Sequence, residues 1–171
     1  MNKSRALIVT GLIVAAAASR LIPHPPNVAP ITALALFSGA HFSNKRFAFA
    51  IPLSALLLSD FVLGFYRQMW IVYGAFCLIA CIGLLLRRRT KGYLVAGATL
   101  AGSVLFFALT NLGVWAFGSL YPKTSDGLIA CYVAALPFFQ NTILGDCLYT
   151  ALLFGALWIA EAKWPVIREA S

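Results

Sequence analysis

Charged side chains in this sequence are gathered at the ends of long apolar segments, and that arrangement limits the fold more than any other feature. Of 171 residues, 61% are hydrophobic and 11% charged, far from the proportions of a water-soluble domain. A hydrocarbon core of about 30 Å takes about 20 residues of helix, so the chain has length for about six spans. The reading is an all-α integral membrane protein: one domain, 1–171, forming a six-transmembrane-helix bundle. Spans are expected over about 4–22, 30–42, 47–66, 69–86, 93–120 and 141–162. The second is short and is expected to be shallow or tilted. From Leu128 to Ala162 the chain stays apolar for longer than one upright helix needs, and Pro137 supplies a break. The stretch 128–139 is therefore expected to be an interfacial or re-entrant helix ahead of the sixth span.

The distribution of basic residues sets the topology. With the amino terminus cytoplasmic, Lys3, Arg5, Lys45, Arg46, Arg87, Arg88, Arg89, Lys91, Lys163 and Arg168 fall inside, and only Arg20, Arg67 and Lys123 outside. That is the positive-inside pattern, and it places both termini in the cytoplasm and the chain in the cell (inner) membrane as a multi-pass protein. The formal charge of +8 is accounted for in this way, without a nucleic-acid partner. Lys3 and Arg5 before an apolar run imitate a signal peptide, but the run leads into Arg20 and a proline-rich turn, so the segment is read as retained.

That turn, Arg20-Leu-Ile-Pro-His-Pro-Pro-Asn27, is rigid and polar. Pro23, Pro25 and Pro26 remove amide donors and push the residues before them out of the helical region. It presents Arg20, His24 and Asn27 at the outer face. A plain connector that stops one helix and lets Pro30 start the next is the alternative.

Polar side chains inside a bilayer cost free energy, so their positions point to a site. Asp60, Asn111, Trp115 and Asp146 all fall in the outer half, with no matching set in the inner half. Tyr66, Arg67, Trp70 and Tyr73 around the third turn, and Phe138, Gln140 and Asn141 near the sixth span, complete an outward pocket with aromatic walls. Each has a structural alternative. Asp60 can pair with Arg67 or Arg20, Asp146 can serve a helix amino terminus, Asn111 can bridge helices, and Trp70 and Trp115 can belong to an aromatic belt. Gly11, Ala15 and Ser19 form a small-residue face on the first span, suited to a partner or to packing within the chain. Cys77, Cys81, Cys131 and Cys147 show no paired spacing and read as small core residues. Neither metal-ligand nor phosphate-loop nor nucleophile motifs occur, and no cofactor is expected.

The run His24-Pro-Pro-Asn27-Val-Ala-Pro30-Ile-Thr-Ala-Leu-Ala-Leu-Phe37-Ser-Gly39-Ala, with Ser59-Asp60, Leu63-Gly64, Phe106-Phe107, Thr110-Asn111, Val114-Trp115, Tyr121-Pro122, Leu136-Pro-Phe-Phe139 and Gly145-Asp146, resembles an uncharacterised bacterial membrane-protein family. That family in turn looks like the S components of energy-coupling factor (ECF) transporters, six-helix proteins with cytoplasmic termini. The resemblance implies a pocket under the first inter-helix loop, with Arg20 to Asn27 as its lid. It also implies that Gly11, Ala15 and Ser19 dock a transmembrane coupling subunit that works with ATPases.

Two functions follow. One is a non-enzymatic substrate-binding subunit for a small polar or vitamin-like molecule. In it Arg20, His24, Asn27, Asp60, Asn111, Asn141 and Asp146 supply polar contacts, while Trp70, Trp115 and Tyr121 stack on the ligand. The other is a membrane scaffold or assembly protein whose polar residues only hold helices together. An outer-leaflet enzyme using Asp60 or Asp146 as acid or base is a third and more distant class.

Overall fold

The computed structural model describes residues 3–87 and 89–168. It contains α1 (Lys3–Ser19), α2 (Ile31–His41), α3 (Lys45–Leu63), α4 (Met69–Leu85), α5 (Gly92–Phe117) and α6 (Ser125–Lys163), followed by a 3₁₀ turn at Pro165–Ile167. Three helices, α3, α5 and α6, are long and apolar enough to cross a membrane, while α2 and α4 are shorter apolar helices.

The architecture is a closed ring of five helices around a sixth. Going round, α1 packs on α3, α3 on α4, α4 on α5, α5 on α6 and α6 back on α1, and α2 touches all five. Every residue of α2 from Thr32 to His41 is buried. Such a helix needs no polar face, and its run Ala33-Leu-Ala-Leu-Phe37 has none. Its 11 residues amount to about 16 Å, roughly half the hydrocarbon thickness. The second segment is thus a central half-length helix rather than a shallow or tilted crossing.

Close approach of α2 and α4 depends on two glycines. A Cβ on Gly39 would lie 2.8 Å from the backbone of Gly83 and Leu84, and one on Gly83 would lie 2.6 Å from the Leu36 carbonyl oxygen. Backbone meets backbone there, and Phe37, Phe76 and Ile79 pack fully buried around it. Along α5, the missing Cβ of Gly102 makes room for the Thr32 methyl, which would otherwise be 2.6 Å away.

The two ends of the bundle differ in charge. One end carries Lys3 and Arg5, Lys45 and Arg46, Arg87, Arg89 and Lys91, and Lys163 and Arg168; Arg88 lies outside the described residues. Arg5 there pairs with Glu161 at 2.5 Å, Arg168 donates to the Glu161 carbonyl and Arg87 to the Phe42 carbonyl. This half also buries Ser38, His41, Thr99 and Thr150. The expectation that polar residues gather only in the opposite half is corrected, because serine and threonine hydroxyls bond to their own helix and are cheap to bury. Thr99, for example, donates to the Val95 carbonyl and to Thr150 Oγ1.

The break at Pro137 is also corrected: α6 is continuous from Ser125 to Lys163, with Pro137 inside it. Proline already has a helical φ, so the helix loses one hydrogen bond and bends rather than ending. The flanking turns are held from outside: Phe139 packs 4.5 Å from Phe107 and Tyr132 donates to the Ala108 carbonyl. There is therefore no separate 128–139 helix. Among the cysteines only Cys131 is buried; Cys77 is half-buried, and Cys81 and Cys147 are exposed.

Candidate functional site

Because α2 starts midway through the bundle, the ring has no central helix in its other half. The chain between Ser19 and Ile31 reaches into that space through its last residues: 21–27 are exposed, Val28 and Ala29 half-buried and Pro30 buried. Val28 N–H donates to the Pro25 carbonyl at 3.1 Å and Asn27 has φ 65°. This is a turn with proline at its second position and a left-handed third residue, a conformation asparagine tolerates. Three residues on one face of α6 meet the descending chain. Asn141 Nδ2 donates to the Pro26 carbonyl at 3.0 Å. Gly145 lies so close to Val28 that a Cβ would come within 3.0 Å of the Val28 Cα. Asp146 faces Thr32, in the first turn of α2, on the wall of one cavity.

Asp146 is 1% exposed and accepts from Ser103 Oγ at 2.6 Å. It sits midway along α6, not in the outer turn that sequence position suggested. There it lies beside the start of α2: Pro30, at the cap position, makes no side-chain cap bond, and a nearby carboxylate offsets the positive pole of the N-terminus.

Between the loop, α4, α5 and α6 lies a cavity of about 330 Å³, at the small end of ligand sites. Thr32 and Asp146 line its α2 end, Asn27 and Ala29 the loop side, and Phe106, Thr110, Asn111 and Val114 the α5 side. Thr142 and Tyr66 complete the polar lining. Burial, with the Asp60 carboxylate nearby, holds the Tyr66 phenol above its ordinary pKa, so it stays a neutral hydroxyl.

Of the sequence-derived residues, Asn27, Tyr66, Asn111 and Asp146 come together on this cavity. Asn141 anchors the loop beside it. The others lie elsewhere, each for a physical reason. Arg20, 9% exposed, and Asp60, 1% exposed, form a buried pair at 2.6 Å. Arg20 also donates to Ser59 Oγ, and Tyr73 donates to the other Asp60 oxygen at 2.9 Å. This pair fastens the end of α1 to α3, as the structural alternative for Asp60 required. His24 is exposed, with Nδ1 2.7 Å from the Ile22 carbonyl. Trp70 packs edge-on against Phe117 at 4.9 Å. Trp115 Nε1 donates to the Pro122 carbonyl and Lys123 caps its ring at 5.8 Å, so both tryptophans and the adjoining Tyr121 belong to the rim, not the cavity lining. On α1, Gly11 and Ala15 are exposed, but Ser19 turns inward and donates to Tyr149 at 2.9 Å.

Sequence reasoning missed Thr32, Phe106, Thr110 and Thr142. Two signals were present: Phe106, Thr110 and Val114 repeat every fourth residue, hence on one face, and Thr142 precedes Asp146 by the same interval. A larger cavity of about 570 Å³ lies between α5 and α6 nearer the basic end. Exposed Trp158 and Cys147 are in its wall, making it a groove on the ring's outer surface, and its carboxylate, Glu161, is committed to Arg5.

Gly145 gives a direct test of the loop's role. Gly145→Val is expected to push Val28 and Ala29 off α6, increasing proteolysis within 21–30 severalfold, while the thermal midpoint falls by only about 1–2 kcal/mol equivalent. Limited proteolysis in detergent reads this, and an unchanged cleavage pattern would show the loop held by other contacts.

Fold and cavity together define an all-helical protein with helices fit to cross a membrane and a buried polar chamber under a proline loop. The chain belongs to a family of unknown function, DUF6580, whose model matches residues 1–167. No curated protein and no solved structure matches it.

Proposed function

We propose that this protein is a multi-pass inner-membrane binding subunit that captures a small polar molecule from outside the cell and passes it to an ATP-driven partner, in the manner of ECF S components. The chamber left by the half-length α2, roofed by the 21–30 loop and lined by Asn27, Thr32, Asn111, Thr142 and Asp146, is the observation that carries the reading. Its position supports uptake: the chamber opens toward the loop end, and the basic residues at the other end match a cytoplasmic face with both termini there. In this arrangement α1, α3, α4, α5 and α6 cross the bilayer, and loop plus α2 make the sixth passage. Where the non-helical backbone enters the bundle, at Val28 to Pro30, protein covers it partly or fully, as unpaired backbone at depth requires. The exposed Gly11 and Ala15 on α1 offer the partner a close approach, without Ser19.

The scaffold reading has its own support in the Arg20–Asp60–Tyr73 and Ser103–Asp146 contacts, which bind helices whatever the chamber holds. Native mass spectrometry on protein extracted in mild detergent separates the two. A discrete small molecule on the parent, lost from a folded Asn111→Ala, Asp146→Ala variant, is the expected result. Lipid alone on both, at equal occupancy, would leave the scaffold reading standing.

A further inference from the structure

The chamber's polar lining carries a carboxylate and no cationic side chain. Thr110 donates its hydroxyl proton to the Phe106 carbonyl at 2.7 Å, and Thr142 donates to the Phe138 carbonyl at 3.2 Å. Asn111 Nδ2 donates to the Phe107 carbonyl at 2.8 Å. Thr110 and Thr142 have spent their single proton on their own helix and offer hydroxyl oxygens; Asn111 keeps its amide oxygen and one N–H, and the Asn27 amide and the Tyr66 hydroxyl on the same lining can accept or donate. Asp146 adds carboxylate oxygens, one of which accepts from Ser103 Oγ at 2.6 Å.

The surface has neutral donors but offers an anion no positive charge. Lysine, arginine and histidine are not among the chamber's lining residues. Arg20, the nearest buried guanidinium described, is turned to Asp60 and Ser59. The amino terminus of α2 reaches the chamber, and a helix N-terminus is a ready anion site. Here the protein's own Asp146 already lies at that pole, beside Thr32 on the chamber wall. A ligand carboxylate or phosphate would meet a carboxylate where it would need a donor.

We infer that the chamber takes a small hydrogen-bond donor, an amine, amidine or polyhydroxyl compound with one flat or apolar side, and rejects carboxylates and phosphates. The flat side faces Phe106 and Tyr66, and the donors face Thr110, Asn111, Thr142 and Asp146. The inference rests on the chamber being a ligand site and narrows what that site accepts.

Benzylamine, benzyl alcohol and benzoate test it, since they share a ring and differ only in the polar group: ammonium, hydroxyl or carboxylate. Dissociation constants are measured by ligand-observed NMR on the full chain in detergent. Signal from a Val114→Phe variant, which fills the chamber, is subtracted as micelle partition. Benzylamine and benzyl alcohol should bind at least about tenfold more tightly than benzoate. Asp146→Asn should bring the benzylamine-to-benzyl-alcohol ratio toward one. Asn111→Leu, which leaves the carboxylate beside the start of α2 in place, should weaken both donors severalfold. Benzoate bound as tightly as benzylamine, with Val114→Phe abolishing both, would overturn the donor preference and leave the binding reading intact. Equal signal from parent and Val114→Phe for all three probes would overturn both.

Discussion

Gly39→Ala is expected to lower the thermal midpoint of the detergent-solubilised protein by roughly 10 °C, and Gly83→Leu to prevent recovery of folded protein. At ordinary core positions an added methyl costs about 1–3 kcal/mol because neighbours shift. Here the neighbours are peptide groups of a facing helix, with a new Cβ on Gly39 2.8 Å from Gly83 and Leu84, so α2 and α4 must separate along their whole contact. The loss should lie at or above the top of that range, and about 3 kcal/mol in a chain of this length corresponds to the stated shift. Gly74→Ala and Gly155→Ala are internal controls: a Cβ at either meets nothing within 4 Å. Inside a helix alanine is favoured over glycine by up to about 1 kcal/mol, so these two should leave the midpoint unchanged or raise it. Equal midpoints for Gly39→Ala and Gly155→Ala would remove the close-approach account.

A second large effect belongs to the buried pair on the α1–α3 side. Asp60→Ala leaves the Arg20 guanidinium, 9% exposed, with only the Ser59 hydroxyl and the Leu56 carbonyl for partners. Stranding a buried charge in this way costs about 3–5 kcal/mol. Replacing both partners by apolar residues of similar volume removes the stranded charge along with the bond. The triple change Arg20→Met, Asp60→Leu, Tyr73→Phe, which also retires the phenol that donates to Asp60, is therefore expected to recover most of the loss. Thermal unfolding of the single and triple variants in one detergent decides the matter. A triple variant no more stable than Asp60→Ala would mean that the pair's geometry, not the stranded charge, sets the cost.

These expectations also mark what the sequence could and could not convey. Six helices were legible because apolar length and basic punctuation are local properties. The proline turn was legible too, since Pro26 and Asn27 fit the two central positions of a single turn type. Asn27, Asn111 and Asp146 stood out as polar groups in apolar surroundings, and they line one chamber. The role of α2 was hidden: a central helix and a short lipid-facing one are both apolar all round, and only the neighbours tell them apart. The joining of Gly39 to Gly83, and of Arg20 to Asp60, depends on ring order, which no local pattern encodes. Pro137 misled because a proline breaks a free helix more readily than one gripped on both sides by Phe107 and Ala108. The threonines escaped notice since a hydroxyl bonded to its own helix leaves no hydropathy signal, although it still offers an oxygen.

The central position of α2 has a consequence for how the chain is made. An 11-residue helix is too short to insert across a bilayer alone, and all of its lateral neighbours are protein. Those neighbours run from α1, the first helix synthesised, to α6, the last. The nascent chain must therefore carry an unfinished core through most of its synthesis, with the segment from Pro23 to His41 waiting near the membrane surface or loosely held between α1 and α3. The ring is complete only when α6 packs against both α5 and α1, which makes the final helix the step at which quality control can tell a finished molecule from an abandoned one.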